Sequence, residues 1–308
     1  MDTKTDGFTP PTGELWLIDW NRAVRYFAGP DAVKGRTGGA KPSGGRTAVV
    51  GLGGPLAKGD WIEPWGGTST LVAQAAIEKA AADPDVDSIF LLVDSPGGEV
   101  AGTEELANAV YAARQVKPTH AHVDDLTASA ALWVAGQADT MTANATAEVG
   151  SVGVVAMVAD DSEFWKEAGV KFHVISTGAR KGDFAMGVPI EKDALKALQG
   201  RVDELGEQFQ VALVRGRGLS AEAIKTLSDG RVVSAEAGVD LGLVDGIMGR
   251  QDAFNALRGR VDGIAAHAKE AARRQALAEK PGSREAIIQR SKDLLARYQR
   301  TGRDGLGV

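Results

Sequence analysis

Two kinds of apolar pattern alternate along this chain. Short, nearly continuous apolar runs, TAVVGL at 47–52, SIFLLVD at 88–94, THAHVD at 119–124 and VKFHVIS at 170–176, have the length of strands buried on both faces. Between them, apolar residues recur at helical spacing. TSTLVAQAAIEKAAAD at 68–83 starts behind a Thr/Ser cap, and EVAGTEELANAVYAARQ at 99–115, TASAALWVAGQA at 127–138 and DSEFWKEAG at 161–169 follow. VGSVGVVAMVA at 149–159 reads as one more strand-like unit, residues 191–218 as a long helix and SAEAIKTLSDG as a shorter one. Strands joined by crossover helices predict an α/β fold around a mostly parallel sheet, with the small apolar residues of 234–249 closing the core.

The flanks break this alternation. ELWLIDWNRAVRYF at 14–27 is aromatic and apolar enough to dock on something, and the aperiodic AGPDAVKGRTGGAKPSGGR after it reads as a linker. Beyond residue 250, QDAFNALRGR and AAHAKEAARRQALAEK are helical in pattern, Pro281-Gly282 breaks the chain, and a last helix puts Ile287, Leu294, Leu295 and Tyr298 on one face. The predicted division is a segment and linker at 1–46, a core at 47–250 and an amphipathic helical tail at 251–308.

Charge sharpens that division. Residues 251–308 hold 12 Lys+Arg against 7 Asp+Glu, a net +5, and residues 1–250 hold 23 against 34, a net −11. Such a tail suits an acidic partner surface, or is simply solvated. The start of the chain has no basic flank followed by an apolar run, so neither a signal peptide nor a membrane anchor is expected, and the expected location is cytoplasmic. The absence of cysteine removes disulfides, thiolate metal sites and thiol nucleophiles together. His120 and His122 alternate in a predicted strand with no third ligand nearby, so they read as strand histidines, and no metal or cofactor is expected.

Three short stretches carry candidate chemistry. DSPGGEV at 94–100 follows a predicted strand and precedes a helix; Gly97 and Gly98 allow a tight turn whose amides suit a developing oxyanion. An unliganded turn fits equally well, and a phosphate loop lacks its G-x-G-x-x-G and its Lys-Ser/Thr. Ser129 stands in DLTASAALWVAGQ among alanines that would let a substrate backbone approach, without a G-x-S-x-G motif; it reads either as a helix N-cap or as a nucleophile. A serine nucleophile needs a base, and the choices are His173 in VKFHVIS or Lys181 in STGARKGDF. A lysine amine serves as a base where burial and a neighbouring cation, here Arg180, favour its neutral form.

The order SPGG, TASAALW, VGSVGV, STGARKGDF and SDGRVVSAEAGVDLGLVDGI over residues 47–249 resembles the signal peptide peptidase A family of serine-lysine peptidases. The resemblance implies the Clp protease/crotonase fold, Ser129 as nucleophile, Lys181 as general base, Ser151 as the hydroxyl that orients the lysine, and Gly98 and Ala130 at the oxyanion hole. It also implies polypeptide substrates and a homo-oligomer, with no nucleic-acid partner. Ala130 and Ala131 stand where that family often has glycines. The missing anchor, the Trp-rich start and the basic tail resemble the lambda-type phage head maturation proteases, which act on scaffold, portal or capsid proteins. Rival expectations are a cytoplasmic peptidase that degrades signal peptides, a crotonase-type acyl-CoA enzyme, and a capsid-associated protein with an inactive core.

Overall fold

A computed structural model describes residues 15–18 and 46–278. The chain divides into two compact units, Met1–Arg258 and Gly259–Val308. The predicted linker, apart from Arg46, and the apolar stripe through Ile287, Leu294, Leu295 and Tyr298 lie outside the described residues.

Among the described residues the strands are, in chain order, β1 (Leu15–Ile18), β2 (Arg46–Gly53), β3 (Leu56–Ala57), β4 (Thr68–Ser69), β5 (Val86–Ser95), β6 (Gly97–Glu99), β7 (Thr119–Ala128), β8 (Thr140–Ala143), β9 (Glu148–Gly150), β10 (Val155–Ala156), β11 (Val232–Ser234) and β12 (Gly246–Ile247). The helices are α1 (Thr70–Ala82), α2 (Thr103–Ala113), α3 (Ala130–Ala135), α4 (Ser162–Glu167), α5 (Lys192–Arg217), α6 (Ala221–Leu227), α7 (Ala235–Asp240) and α8 (Arg250–Ala278). The large sheet runs β11-β9-β7-β5-β2, with β8 also on β7 and β12 on β8. All its pairings are parallel except β11 on β9. This is the α/β, Clp protease/crotonase-like architecture, continued by a helix at its carboxyl side.

The continuous apolar run of β5 follows from burial on both faces. Ile89, Leu91 and Val93 belong to the main core with Leu106, Val110 and Leu132, while Phe90 points the other way and packs with Ala253 and Leu257. The first turns of α8 therefore cover the back of the sheet. β7 carries more than a regular strand does. Its pairing with β5 slips between Val93 and Ser95, which sits opposite Thr127. Its other edge is shared, by β8 along His120–Val123 and by β9 along Leu126–Ala128.

Two expectations from the pattern are corrected. VKFHVIS forms no strand; Ile175 is 96% exposed, and an alternating run becomes a strand only where a neighbouring edge receives its N–H and C=O groups. VGSVGVVAMVA is not continuous either, because Ser151 at φ 55° ends β9 and only Val155–Ala156 resumes as strand.

A small second sheet, β10-β1-β6-β3-β4, sits on the turns that leave the large one. Its members are two to four residues long, too short to leave a periodic signal in sequence.

Candidate active site

β7 and β9 run in register, Leu126 opposite Glu148, Thr127 opposite Val149 and Ala128 opposite Gly150. The Ser129 N–H extends the ladder by donating to the Gly150 carbonyl at 2.9 Å. Ser129 and Ser151 are therefore the residues that next leave two paired strands, side by side at the carboxyl end of the sheet, where open α/β folds place their ligands. Both do so with φ 55°. Among the described residues only one other non-glycine, Phe184, has positive φ.

Ser129 stands at the N-cap of α3, but its conformation is not that of a cap. Ser69, Ser220 and Ser234 precede their helices in extended conformation and accept hydrogen bonds from Val72, Ala223 and Ala237. Ser129 has φ 55°, ψ −121°, and its hydroxyl makes no capping bond. This is a strained strand-to-helix turn of the kind that presents a nucleophile in hydrolases carrying G-x-S-x-G. Here the geometry exists without the motif. Such a conformation costs about 1–3 kcal/mol and persists only where its surroundings fix it. Buried Ala128 and Ala130 fix it on either side, and the Trp133 N–H holds the Ser129 carbonyl at 3.0 Å.

The helix behind Ser129 is buried all round, from Ala130 to Ala135. That explains the alanines: α3 must fit between the sheet and two neighbouring helices. Trp133 stacks on Phe209 of α5, centroids 5.1 Å apart, and the Gln137 amide nitrogen donates to the carbonyls of Trp133 and Ala212, both at 3.0 Å. Glycine would also fit at Ala130, but its freedom would loosen the turn. The Ala130 N–H belongs to the first turn, where no intrahelical acceptor exists.

Gly98 lies on the adjoining strand. Ser95 ends β5 opposite Thr127, two residues before Ser129, and its hydroxyl donates to the Gly54 carbonyl at 2.6 Å while accepting the Gly97 N–H at 3.2 Å. Gly97 turns at φ 98°, and Gly98 then pairs with Leu56, whose carbonyl would stand 1.8 Å from any Cβ at that position. Sequence reading missed Ser95 as the residue that ties this turn; the Ser of SPGG was its only signal.

Lys181 is placed differently. It lies in a run of turns at 177–184, is exposed, and its side chain makes no hydrogen bond or ion pair with the described residues. The structure thus brings Ser129, Ala130, Ser151 and the Gly97–Gly98 turn to one end of the sheet, and does not hydrogen-bond Lys181 to either serine. Its segment is organised by two neighbouring carboxylates. Asp160 accepts the Ile190 N–H at 2.9 Å and bonds Ser162, and Asp161 accepts the Gly187 N–H and the Trp165 indole N–H, both at 2.8 Å. These bonds hold both carboxyls below their ordinary 3.8, the Ile190 N–H foremost for Asp160 and the Gly187 N–H for Asp161. His173, the other candidate base, is exposed on the same segment.

The strand histidines are core residues. His120 and His122 both bond the Thr142 hydroxyl, at 2.8 and 3.0 Å, and stack on Phe90. Burial lowers the His122 pKa below 6.5, against the opposing pull of Asp124. Among the described residues no group of side chains has the makings of a metal site, and no helix is long and apolar enough to cross a membrane.

Comparison with known proteins agrees with the geometry. The chain is 30% identical over 188 residues to capsid assembly protease C of Escherichia phage lambda, a stretch covering 61% of this chain and 43% of that protein. It is 30% identical over 183 residues to the head-tail preconnector protein GP5 of Enterobacteria phage P21, covering 59% of this chain and 36% of that one. A putative signal peptide peptidase of Enterococcus faecium is 26% identical over 59% of this chain and 53% of its own length. The chain thus spans less than half the length of the two phage relatives. The model of peptidase family S49 matches residues 112–263, a stretch that contains Ser129, Ser151 and Lys181 and leaves the Gly97–Gly98 turn outside. Over these residues, just under half of its length, the chain is similar to peptidase family S49.

Proposed function

We propose that the protein is a serine endopeptidase in which Ser129 attacks the peptide carbonyl and Lys181 takes its proton. The observation that carries this reading is the strained turn at Ser129, held by packing at the carboxyl end of a parallel sheet beside a second strained serine. In the proposed cycle the Ser129 oxygen adds to the carbonyl carbon, and the amide N–H groups of Gly98 and Ala130 receive the negative charge that forms on the carbonyl oxygen. Collapse of that intermediate expels the amine product, which takes the proton from Lys181. Water then releases the acyl group by the same steps. Ser151 accepts or donates to the lysine amine and fixes its direction. No metal or cofactor is needed for these steps.

Lys181 reaches Ser129, in this reading, when the segment 153–190 closes over the sheet. Met157, Phe164, Ile175 and Met186 are exposed on that segment, an apolar surface that association of copies would cover, and we place closure in a homo-oligomer. The substrate is an extended polypeptide. The likeness to lambda protease C and P21 GP5 supports capsid, scaffold or portal proteins of a phage or prophage head as the target, acted on in the host cytoplasm or within the prohead. The likeness to the Enterococcus protein supports the second reading, a peptidase that clears signal peptides by the same chemistry.

One experiment tests function and substrate together. The chain is co-expressed with candidate capsid, scaffold and portal proteins and with precursors bearing signal peptides, and new N-termini are mapped by mass spectrometry, with Ser129→Ala as control. New termini in a head protein that vanish in the control are expected. Their absence from head proteins, with cleavage of signal peptides instead, selects the second reading.

A further inference from the structure

The small sheet contains a slot one strand wide, and the slot is filled by the chain itself. β1 is antiparallel to both walls: Trp16 lies opposite Glu99, Leu17 opposite Gly98 and Ile18 opposite Gly97, while on the far side Leu15 faces Ala156 and Trp16 faces Val155. Among the described residues β10 pairs with β1 alone, so without β1 both its edge and that of β6 are open. Two open edges at strand spacing accept an extended peptide by main-chain hydrogen bonds.

The position of the slot follows from connectivity. β6 comes off the end of β5 through Pro96, and β10 comes off the end of β9 through Ser151. In the large sheet β7 stands between β5 and β9 and leads into Ser129; in the small sheet β1 stands between β6 and β10. β1 therefore takes, in the small sheet, the place corresponding to the strand that delivers Ser129. It runs from Glu99 toward Gly97, its carboxyl end leading to the turn whose amides are assigned to the oxyanion.

We propose that Leu15–Ile18 is a built-in competitor for the substrate cleft, a strand that must leave, or be displaced, before an extended polypeptide can enter. The inference rests on the reading of this end of the sheet as the peptidase site. It also gives the Trp-rich start of the chain a role in regulation. Competition of this kind lowers apparent substrate affinity by the fraction of time the cleft is free, so a strand seated nine-tenths of the time raises KM about tenfold and leaves kcat unchanged.

The test uses the full chain and Leu17→Pro. Proline in a strand paired on both sides removes an N–H and cannot keep both ladders. Of the neighbouring amides of Val155 and Ala156, the one directed at β1 is expected to exchange slowly in the parent and fast in the variant. Labelling of Ser129 by a fluorophosphonate and hydrolysis of an extended reporter peptide are expected to be faster in the variant, through a KM lower by about tenfold at constant kcat. The synthetic peptide ELWLIDW should restore the parent KM by competing with the reporter. Equal exchange in the two proteins, or altered exchange with unchanged KM and labelling rate, overturns the proposal. If neither protein labels at Ser129, the peptidase reading has failed, and exchange at 155–156 still decides whether the strand is seated.

Discussion

Ser129 is 1% exposed, with its backbone held by Gly150 on one side and Trp133 on the other, whereas Lys181 stands on a segment whose apolar side chains face outward, Phe164 at 66% and Ile175 at 96%. The first half of the proposed dyad is thus fixed within one chain, and the second is not. A strained residue is sustainable only inside dense packing. A segment held by the hydrogen bonds of Asp160 and Asp161 can be moved as a piece at much smaller cost. In the proposed reading, this contrast puts the control of activity in the segment 153–190, the arm: the candidate nucleophile is preformed, and the candidate base remains to be delivered.

The sharpest way to break this comparison is kinetic. Ser129→Ala and Lys181→Ala should each lower peptide hydrolysis on the order of 10^4-fold or more, and the double variant should be no worse than either single one, because residues acting as a unit are not additive. Circular dichroism should show both folded. If Lys181→Ala keeps its activity and His173→Ala loses it, the arm supplies a different base.

Stability separates the two regions next. Phe209→Ala removes the ring stacked on Trp133 behind the strained turn at Ser129 and should cost about 3–5 kcal/mol in urea unfolding. Ile175→Ala should change that midpoint by about 0.5 kcal/mol at most. Its effect belongs in sedimentation instead, as weaker association of copies. A large loss of unfolding stability at Ile175 would mean that the arm packs on its own core.

The smallest effect is a slope with pH. Burial lowers the His122 pKa below 6.5, so the unfolded chain binds a proton that the folded chain refuses. Stability contributed by neutral His122 is present above 6.5 and falls as pH drops from there toward the folded-state value. Thermal melts between pH 7.5 and 5.5 should show this decline, and His122→Asn should flatten it. No change in slope would mean that Asp124 outweighs burial.

How much of this was legible in sequence depended on the range of the interactions. β5 and the first half of β7 were readable because an uninterrupted apolar run records burial on both faces at every position. α1, α2 and α5 were readable from helical spacing. The extension of β7 to Ala128 was not, since TASAALW has the composition of a helix and becomes strand only against Val149 and Ser95. VKFHVIS failed for the opposite reason, having strand composition but no edge beside it. Ser129 stood out as a candidate from the order of motifs along the chain; its φ, which distinguishes it from the capping serines, is set by contacts distant in sequence. ELWLI was recognisable as a docking segment, while its partners at 97–99 and 155–156 carry no local mark.

The last wall of the site comes from far along the chain. The Ser151 N–H donates to the Arg231 carbonyl at 2.7 Å, and β11 closes over β9 just beyond it. Ribosomes deliver chain at about 5–20 residues per second, so Ser129, Ser151 and Lys181 all emerge well before Arg231. During that interval Ser151 lacks the Arg231 acceptor of its N–H, and the left-handed turn beside Ser129 is expected to relax. If the proposed peptidase reading holds, a growing chain would bear every candidate reactive side chain and no assembled centre, and translation itself would delay proteolysis until the core is finished.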